Sequence, residues 1–251
     1  VHYLPHEVVP LQQEKCPFKL RDAIVLRTRI GSHVHGIAHP DSDDDFRGVF
    51  VAPSDTHWSL GHTPRRIEYL REGVDELYYE IGGFVRRLLT GEPMAIETLY
   101  SHRVEFADEV GTYLLSRRQD FLTRTAMVGF PVFLRSQQRE YHERHRKGKF
   151  VKPKGLMHTL RLALSGLRAV RTGEMTLEVR EHADDLVAIR EGKWHFERAN
   201  HAIFSVIREI EDSFDDSPLP EGPATSVADD CLVFARAVFA RRWLEANGQH
   251  L

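Results

Sequence analysis

Apolar and polar positions follow different patterns in the two halves of the chain. Between Asp22 and Tyr78, four short runs rich in β-branched and aromatic residues are separated by Gly, Pro, Asp and Ser, which predicts strands at AIVLRTRI, FRGVFV, RIEYL and VDELY. The break Arg71-Glu72-Gly73 between the last two runs predicts a hairpin turn. This half of the chain is therefore expected to form a small sheet.

Helical periodicity begins after Tyr79. Apolar residues then recur three and four positions apart, at Ile81, Phe84, Val85, Leu88 and Leu89. Beyond Gly111, long amphipathic segments predict helices over 111–123, 130–145, 155–171, 197–213 and 226–246. The predicted fold class is therefore α+β: a small mixed sheet with flanking helices in residues 1–110, and a C-terminal helical domain in residues 111–251.

Composition excludes several classes of protein. The 251 residues include 34 Lys+Arg and 37 Asp+Glu, so the formal charge is −3 and the chain as a whole has no basic character. No run approaches the roughly 18 apolar residues of a membrane-spanning helix, and the first residues lack the charged-then-apolar order of a signal peptide. We therefore expect a cytoplasmic protein with no membrane partner. Two cysteines are too few for a disulfide framework or a Cys-based zinc site.

An acidic stretch carries the candidate catalytic chemistry. If residues 43–51 form a strand, its period of two places Asp43, Asp45 and Arg47 on one face, and Phe46 and Phe50 on the other. Two carboxylates at such a short distance repel each other unless a divalent cation lies between them. A binding site for Mg²⁺, or for Mn²⁺ in its place, is the natural explanation of this pattern. Such a metal site indicates phosphate chemistry. Arg47 either braces the carboxylates through an ion pair or is purely structural.

The dipeptide Gly31-Ser32 follows the first predicted strand and predicts a tight turn. Its backbone amides and the Ser32 hydroxyl can approach a polyphosphate and donate hydrogen bonds to its oxygens. His33 and His35 follow directly, and they either touch a substrate or simply form part of the turn.

A second polar group is expected at the start of the 155–171 helix. Lys154, His158 and Arg161 lie at positions i, i+4 and i+7, which places them on one helical face. They suit the β- and γ-phosphates of a nucleotide, or they are solvent-facing charges. The preceding segment, 139–154, mixes basic and aromatic residues, and is either a solvated helix end and loop or a surface for phosphate or nucleic acid.

The pattern GS, a short spacer and then SDxDxRGV resembles the signature of the polymerase-beta-type nucleotidyltransferase superfamily, and in particular the YcgL-type predicted nucleotidyltransferases. Two further blocks are similar to that family. One runs from Val74 through Glu97-Thr98-Leu99, and the other from Lys154 through Ile189-Arg190-Glu191-Gly192. The resemblance spans roughly residues 22–192, about two-thirds of the chain.

The resemblance implies roles for individual residues. Asp43 and Asp45 would be metal ligands, Gly31 and Ser32 would bind the triphosphate, and Asp75 would be the third carboxylate. A strand register shifted by one would bring Glu76 there instead. Lys154, His158 and Arg161 would complete the nucleotide-binding set.

The resemblance also implies an activity. Residues 1–110 would be a nucleotidyltransferase domain, and residues 111–251 a helical domain that closes over the nucleotide. The expected reaction is metal-dependent transfer of a nucleoside monophosphate from a nucleoside triphosphate such as ATP to a hydroxyl-bearing acceptor, with release of pyrophosphate. The acceptor, whether an RNA end, a protein or a small molecule, stays open. The alternative is a non-catalytic nucleotide-binding or regulatory protein that retains the same fold.

Three positions depart from the family pattern. Asp44 stands between the presumed ligands on the face expected to pack inward, so its charge must reach solvent, a cation or a helix N-terminus. Gly82-Gly83 falls within a predicted helix, where each glycine costs about 1 kcal/mol relative to alanine. Glu92 precedes Pro93 at a position where the family more often has Asn.

Overall fold

A computed structural model describes residues 16–39, 43–222 and 224–248, so Ser42 of the SDxD pattern lies outside the described residues. Five strands form one mixed sheet in the order β3-β4-β2-β1-β5. They are β1 (Ile24–Ile30), β2 (Asp44–Phe50), β3 (Arg66–Arg71), β4 (Val74–Glu80) and β5 (Val104–Ala107). The β2/β4 pair is parallel, and every other neighbouring pair is antiparallel.

The first four strands and the β3–β4 turn confirm the sequence prediction. The sequence did not predict β5, because this strand has only four residues, none of them buried, and is identified by its pairing with β1. The fold class is α+β as expected, with helices that flank the sheet and continue to the end of the described chain. These helices are α1 (Leu20–Ala23), α2 (Ser32–His35), α3 (Ser54–Trp58), α4 (Ile81–Leu89), α5 (Pro93–Tyr100), α6 (Glu109–Ser116), α7 (Arg124–Met127), α8 (Gly129–Arg146), α9 (Pro153–Thr172), α10 (Ala183–Arg190), α11 (Phe196–Asp212) and α12 (Thr225–Ala246).

Four of the five long helices predicted beyond Gly111 are present within a few residues of their expected ends, as α8, α9, α11 and α12. The prediction of one helix over 111–123 was wrong. Helix α6 ends at Ser116, and a separate 3₁₀ turn covers Arg118–Phe121. The break falls in the polar run 116–120, which offers no apolar side chain to continue the buried face of the helix.

Local capping explains two of the departures from the family pattern. The Glu92 carboxylate accepts a hydrogen bond from the Ala95 N–H at 3.0 Å, so it caps α5 as an Asn would. At the start of α4, the Glu80 carboxylate accepts a hydrogen bond from the Gly82 N–H at 2.7 Å. Gly82 and Gly83 therefore lie in the first turn of α4 and do not interrupt the helix interior.

The sheet separates two hydrophobic clusters. The smaller cluster includes Leu20, Phe50 and Tyr78 on one face. The larger one combines sheet residues such as Leu26 with buried residues of the long helices, including Ile203 of α11. Side chains from both 1–110 and 111–251 thus share one core, and the division into two domains at residue 110 stays a prediction. None of the helices in the described ranges is both long enough and apolar enough to cross a membrane.

Candidate functional site

The turn after β1 brings Gly31 against the carboxylate of Asp45. Gly31 has φ +78° and ψ −164°, a conformation that is open almost only to glycine. A Cβ atom at this position would lie 2.2 Å from Oδ2 of Asp45, far inside van der Waals contact. The glycine is therefore required both by its backbone conformation and by the space that Asp45 occupies.

The parallel pairing of β2 and β4 aligns two of the predicted carboxylates. Asp45 and Asp75 are directly opposite each other in the register, and Asp43 lies just before β2. Burial raises the pKa of Asp45 above its usual value. The nearby carboxylates of Asp75 and Asp43 raise that pKa as well, whereas Arg47 and Lys154 lower it. Three negative side chains thus converge at this end of the sheet.

Arg47 holds one of these carboxylates. Its guanidinium donates hydrogen bonds to both oxygens of Asp75, at 3.1 and 3.3 Å, and to the backbone carbonyls of Phe46 and Asp75. The side chain of Arg47 is buried, whereas that of Asp75 is partly exposed, so the carboxylate stays accessible from one side. Of the two alternatives left open by the sequence, Arg47 is the brace.

Glu76 lies on the opposite face of the sheet from Asp75. It is buried beside Arg27, whose Nη2 donates to the Glu76 carboxylate at 3.3 Å, and the Tyr78 hydroxyl donates to the same carboxylate. The guanidinium of Arg27 in turn covers the Phe46 ring at 3.6 Å. The strand register therefore places Asp75, and not Glu76, beside Asp45, in agreement with the first alternative.

The charge of the Asp44 carboxylate at the start of β2 is compensated by nearby partners. Its carboxylate is 3.3 Å from the Arg29 guanidinium and 3.8 Å from His33 Nε2, and its side chain is partly exposed. The charge thus reaches both a cation and solvent, two of the three solutions that the sequence allowed. His33 is accounted for by this contact with Asp44.

An open cavity of about 340 Å³ lies beside Asp43 and Asp45, whereas Asp75 is not one of its lining residues. Its volume is within the usual size range of small-ligand sites. The sheet side contributes Asp43 and Asp45 and the turn contributes Ser32, while α9 contributes Lys154 and His158. The full lining is Ser32, His39, Asp43, Asp45, Lys154, Met157, His158, Arg190 and Glu191. Residues from both halves of the chain therefore face each other across one cavity.

The placement of Arg161 contradicts the expectation that it binds phosphate. Its side chain is buried and forms an ion pair with the equally buried Glu97 of α5. Although burial raises the pKa of Glu97, Arg161 lowers it to a net value below the usual range. Helix α9 is buried on nearly all sides at this turn, so an i+7 position does not reach the cavity that Lys154 and His158 line.

His158 lines the cavity as a neutral side chain. Burial, with contributions from Arg161 and Lys154, lowers its pKa to about 4. Burial and Arg161 likewise lower the pKa of His35 to about 4, and its Nδ1 lies 3.0 Å from the Leu177 carbonyl. Of the predicted polar stripe, Lys154 and the uncharged imidazole of His158 therefore face the cavity.

Sequence reasoning assigned no role to Arg190, which also lines the cavity. Its guanidinium donates to the Ile37 carbonyl at 2.8 Å, which connects α10 to the loop after α2. The sequence feature that could have identified Arg190 is the block Ile189-Arg190-Glu191-Gly192, which carries part of the family resemblance. His39 lines the same cavity and had no comparable signal in the sequence.

The carboxylate set fits a magnesium ion that is completed by substrate. Over residues 16–39, 43–222 and 224–248, no three His, Cys, Asp or Glu side chains are arranged to hold a metal ion by themselves. Magnesium in phosphate-transfer sites needs only one or two carboxylates, with phosphate oxygens and water as its other ligands. Asp43 and Asp45, which line one cavity, meet that requirement.

The chain is similar in sequence to a known protein family over most of its length. The model of the RNA repair pathway DNA polymerase beta family matches residues 7–234. An uncharacterized 38.9 kDa protein of Enterobacteria phage T4 is 26% identical over 129 residues, which cover 47% of this chain and 38% of the phage protein. The alignment thus spans little more than a third of that relative. A nucleotidyltransferase-like protein from Exiguobacterium sibiricum aligns with 77% of this chain and 69% of its own, at 12% identity and a TM-score of 0.31.

Proposed function

Since the chain belongs to the RNA repair pathway DNA polymerase beta family, which is of nucleotidyltransferase type, we propose that it transfers a nucleoside monophosphate from a nucleoside triphosphate to a hydroxyl-bearing acceptor. The α–β phosphoanhydride bond breaks, a new phosphodiester bond forms and pyrophosphate leaves. The observation that carries the proposal is the convergence of Asp43, Asp45 and Ser32 on one cavity with Lys154 and His158 opposite.

In this proposal Asp43 and Asp45 hold Mg²⁺, or Mn²⁺ in its place. The ion supplies charge neutralisation on the triphosphate and lowers the pKa of an attacking hydroxyl. The two aspartates line one cavity, and burial together with the nearby carboxylates of Asp75 and Asp43 raises the pKa of Asp45, so a bound cation would stabilise the ionised form of Asp45.

Asp75 is the third carboxylate. Ionised carboxylates offer about four lone-pair positions, and Arg47 occupies only two of those on Asp75, so Asp75 keeps acceptor capacity toward the metal or the attacking hydroxyl. Arg47 fixes the orientation of Asp75 beside Asp45. Arg47 is thus a positioning residue.

The phosphates lie between the β1–α2 turn and α9. Gly31 lets the phosphates approach the backbone closely, and the Ser32 hydroxyl donates a hydrogen bond to them. The Lys154 ammonium group contacts the β- and γ-phosphate oxygens. Neutral His158 can donate one ring N–H to the same oxygens. Arg161 supports this wall from the interior through Glu97 and makes no phosphate contact in this proposal.

A second candidate is a nucleotide-binding or regulatory protein that transfers nothing. The observation that favours it is the Arg47–Asp75 pair, because an arginine on a catalytic carboxylate competes with a metal ion. The acceptor of the first candidate is open among an RNA end, a protein and a small molecule, and the family description favours RNA.

The two candidates are separated by incubation with Mg²⁺ and each α-labelled nucleoside triphosphate, with RNA, protein and small alcohols as acceptors. Release of pyrophosphate together with label transfer, lost in Asp45→Asn and kept in Arg168→Ala on the exposed side of α9, supports the transferase. Nucleotide binding without label transfer to any acceptor supports the second candidate. Turnover that persists in Asp45→Asn would refute the assignment of that residue.

A further inference from the structure

A groove between α8 and α11 combines aromatic rings with cationic and imidazole side chains. Its volume is about 610 Å³, and its lining includes Arg139, His142, His145, Phe196, Asn200 and Phe204. The His145 ring stacks on Phe196 with 4.0 Å between centroids and 16° between planes. Its Nε2 lies 3.0 Å from the Glu197 carboxylate, which fixes the imidazole in that stack.

This groove continues into a neighbouring cavity. A third cavity shares His145 and Phe196 with the groove and adds Lys149, Phe150 and Trp194. Three other residues that line this third cavity directly precede, in the chain, residues that line the carboxylate cavity: Pro153 precedes Lys154, Leu156 precedes Met157, and Ile189 precedes Arg190. The groove and the third cavity thus share two residues, and the carboxylate cavity lies next to them along the chain without sharing a lining residue. We call the groove and the third cavity together the aromatic track.

A basic segment borders the track, whose own charged lining residues are Arg139, Lys149 and Glu197. Residues 139–154 contain seven Lys and Arg against two Glu, a net charge of +5 in a chain of net charge −3. Phe150, inside this basic segment, is 73% exposed. The Arg198 guanidinium lies 3.7 Å from the Trp194 ring centroid and adds a further cation at the track. Exposed rings interleaved with cations are typical of surfaces that stack bases and contact phosphates.

One buried polar atom in the groove lacks a partner. The side-chain oxygen of Asn200 is shielded from solvent and has no hydrogen-bond partner among the described residues. Such a group is costly unless a ligand pairs with it. The side-chain oxygen of Asn200 can accept a hydrogen bond from the edge of a base that stacks on Phe204, which lines the same groove.

We propose that the aromatic track binds single-stranded RNA, with bases on Phe150 and Phe204 and phosphates on Arg139 and Lys149. The strand would deliver its terminal hydroxyl past Lys154 to Asp45, a step that rests on the proposed function. RNA fits better than an acidic peptide, because a peptide would use the cations but leave the row of ring faces without planar partners. The RNA repair description of the family agrees with this choice.

The test measures binding of a labelled single-stranded RNA of about 12 nucleotides by fluorescence anisotropy, without nucleotide, at several salt concentrations. Phe150→Ala is expected to weaken binding about 5- to 100-fold, the range for loss of one stacked base. Lys149→Ala is expected to reduce the slope of log K against log salt by about 0.7, the value for one phosphate contact on a single strand. Trp58→Ala, an exposed aromatic of α3, and Arg168→Ala are matched controls that should bind as wild type.

The outcomes separate the track from the catalytic proposal. RNA binding and nucleotidyl transfer are measured separately on the wild-type protein, so tight binding with no nucleotidyl transfer would support the track while the proposed activity fails. The track would be overturned by wild-type affinity in both Phe150→Ala and Lys149→Ala, by equal losses in the two controls, or by tighter binding of an acidic peptide or of single-stranded DNA of the same sequence.

Discussion

Replacement of Gly31 by alanine tests the contact on which the site depends. The new Cβ would lie 2.2 Å from Oδ2 of Asp45, where ordinary contact begins at 3.4 Å. The clashing atom is the end of a side chain, so Asp45 can swing away by about 1 Å, a displacement that can cost on the order of 100-fold in rate. We therefore expect that Gly31→Ala loses much of its turnover but only a modest part of its stability.

The stability cost can be estimated from the backbone alone. A non-glycine residue in the Gly31 conformation costs about 1–3 kcal/mol, which corresponds to a fall in Tm of roughly 2–10 °C for a chain of this size. Gly173, which ends α9 with φ +73° and only an ordinary contact to Pro218, provides the matched control. Gly173→Ala should lower Tm by a similar amount and keep turnover.

The assay combines thermal unfolding with pyrophosphate release at saturating nucleotide and Mg²⁺. Gly31→Ala should lose about 100-fold in kcat while Gly173→Ala stays within about twofold of wild type. Equal kcat values in the two variants would refute the reasoning, because they would show that the position of Asp45 does not control the reaction.

Three further predictions concern the same region. Mg²⁺ at about 100 times its Kd should raise the free energy of unfolding of wild type by about 2.7 kcal/mol but leave Asp45→Asn unchanged in calorimetry, and an equal gain in both would contradict metal binding at Asp45. Arg161→Met should lower the free energy of unfolding, measured in urea, by about 3–5 kcal/mol, because it leaves the buried Glu97 carboxylate without its ion-pair partner. The double variant Arg161→Met/Glu97→Leu should recover most of this stability. A loss under about 1 kcal/mol in Arg161→Met would contradict the buried pair. Since the pKa of His35 is about 4 when folded and 6.5 as a free side chain, the unfolded state binds more protons, and stability should fall by about 2 kcal/mol from this group between pH 7 and pH 5. His35→Gln should show a smaller fall over that interval, and an identical pH profile would contradict the burial of His35.

The sequence by itself determined the local features of the site. Period-two alternation was sufficient to place Asp45 and Arg47 on one face of β2, and Asp75 on the opposite face of β4 from Glu76, because side-chain direction in a strand follows from residue parity. The sequence also predicted the turn at Gly31-Ser32, because glycine itself allows the positive φ that this turn requires.

Tertiary structure alone decided which groups meet and which carry charge. The i, i+4, i+7 spacing could not distinguish Lys154 from Arg161, because only the packing of α5 against this region brings Glu97 to Arg161, 64 positions away in sequence. The neutral state of His158 likewise depends on burial and on neighbouring cations that no local pattern encodes. Parity is fixed by covalent geometry within a few residues, whereas desolvation and ion pairing depend on atoms contributed by distant segments, so they are established only when the chain has folded.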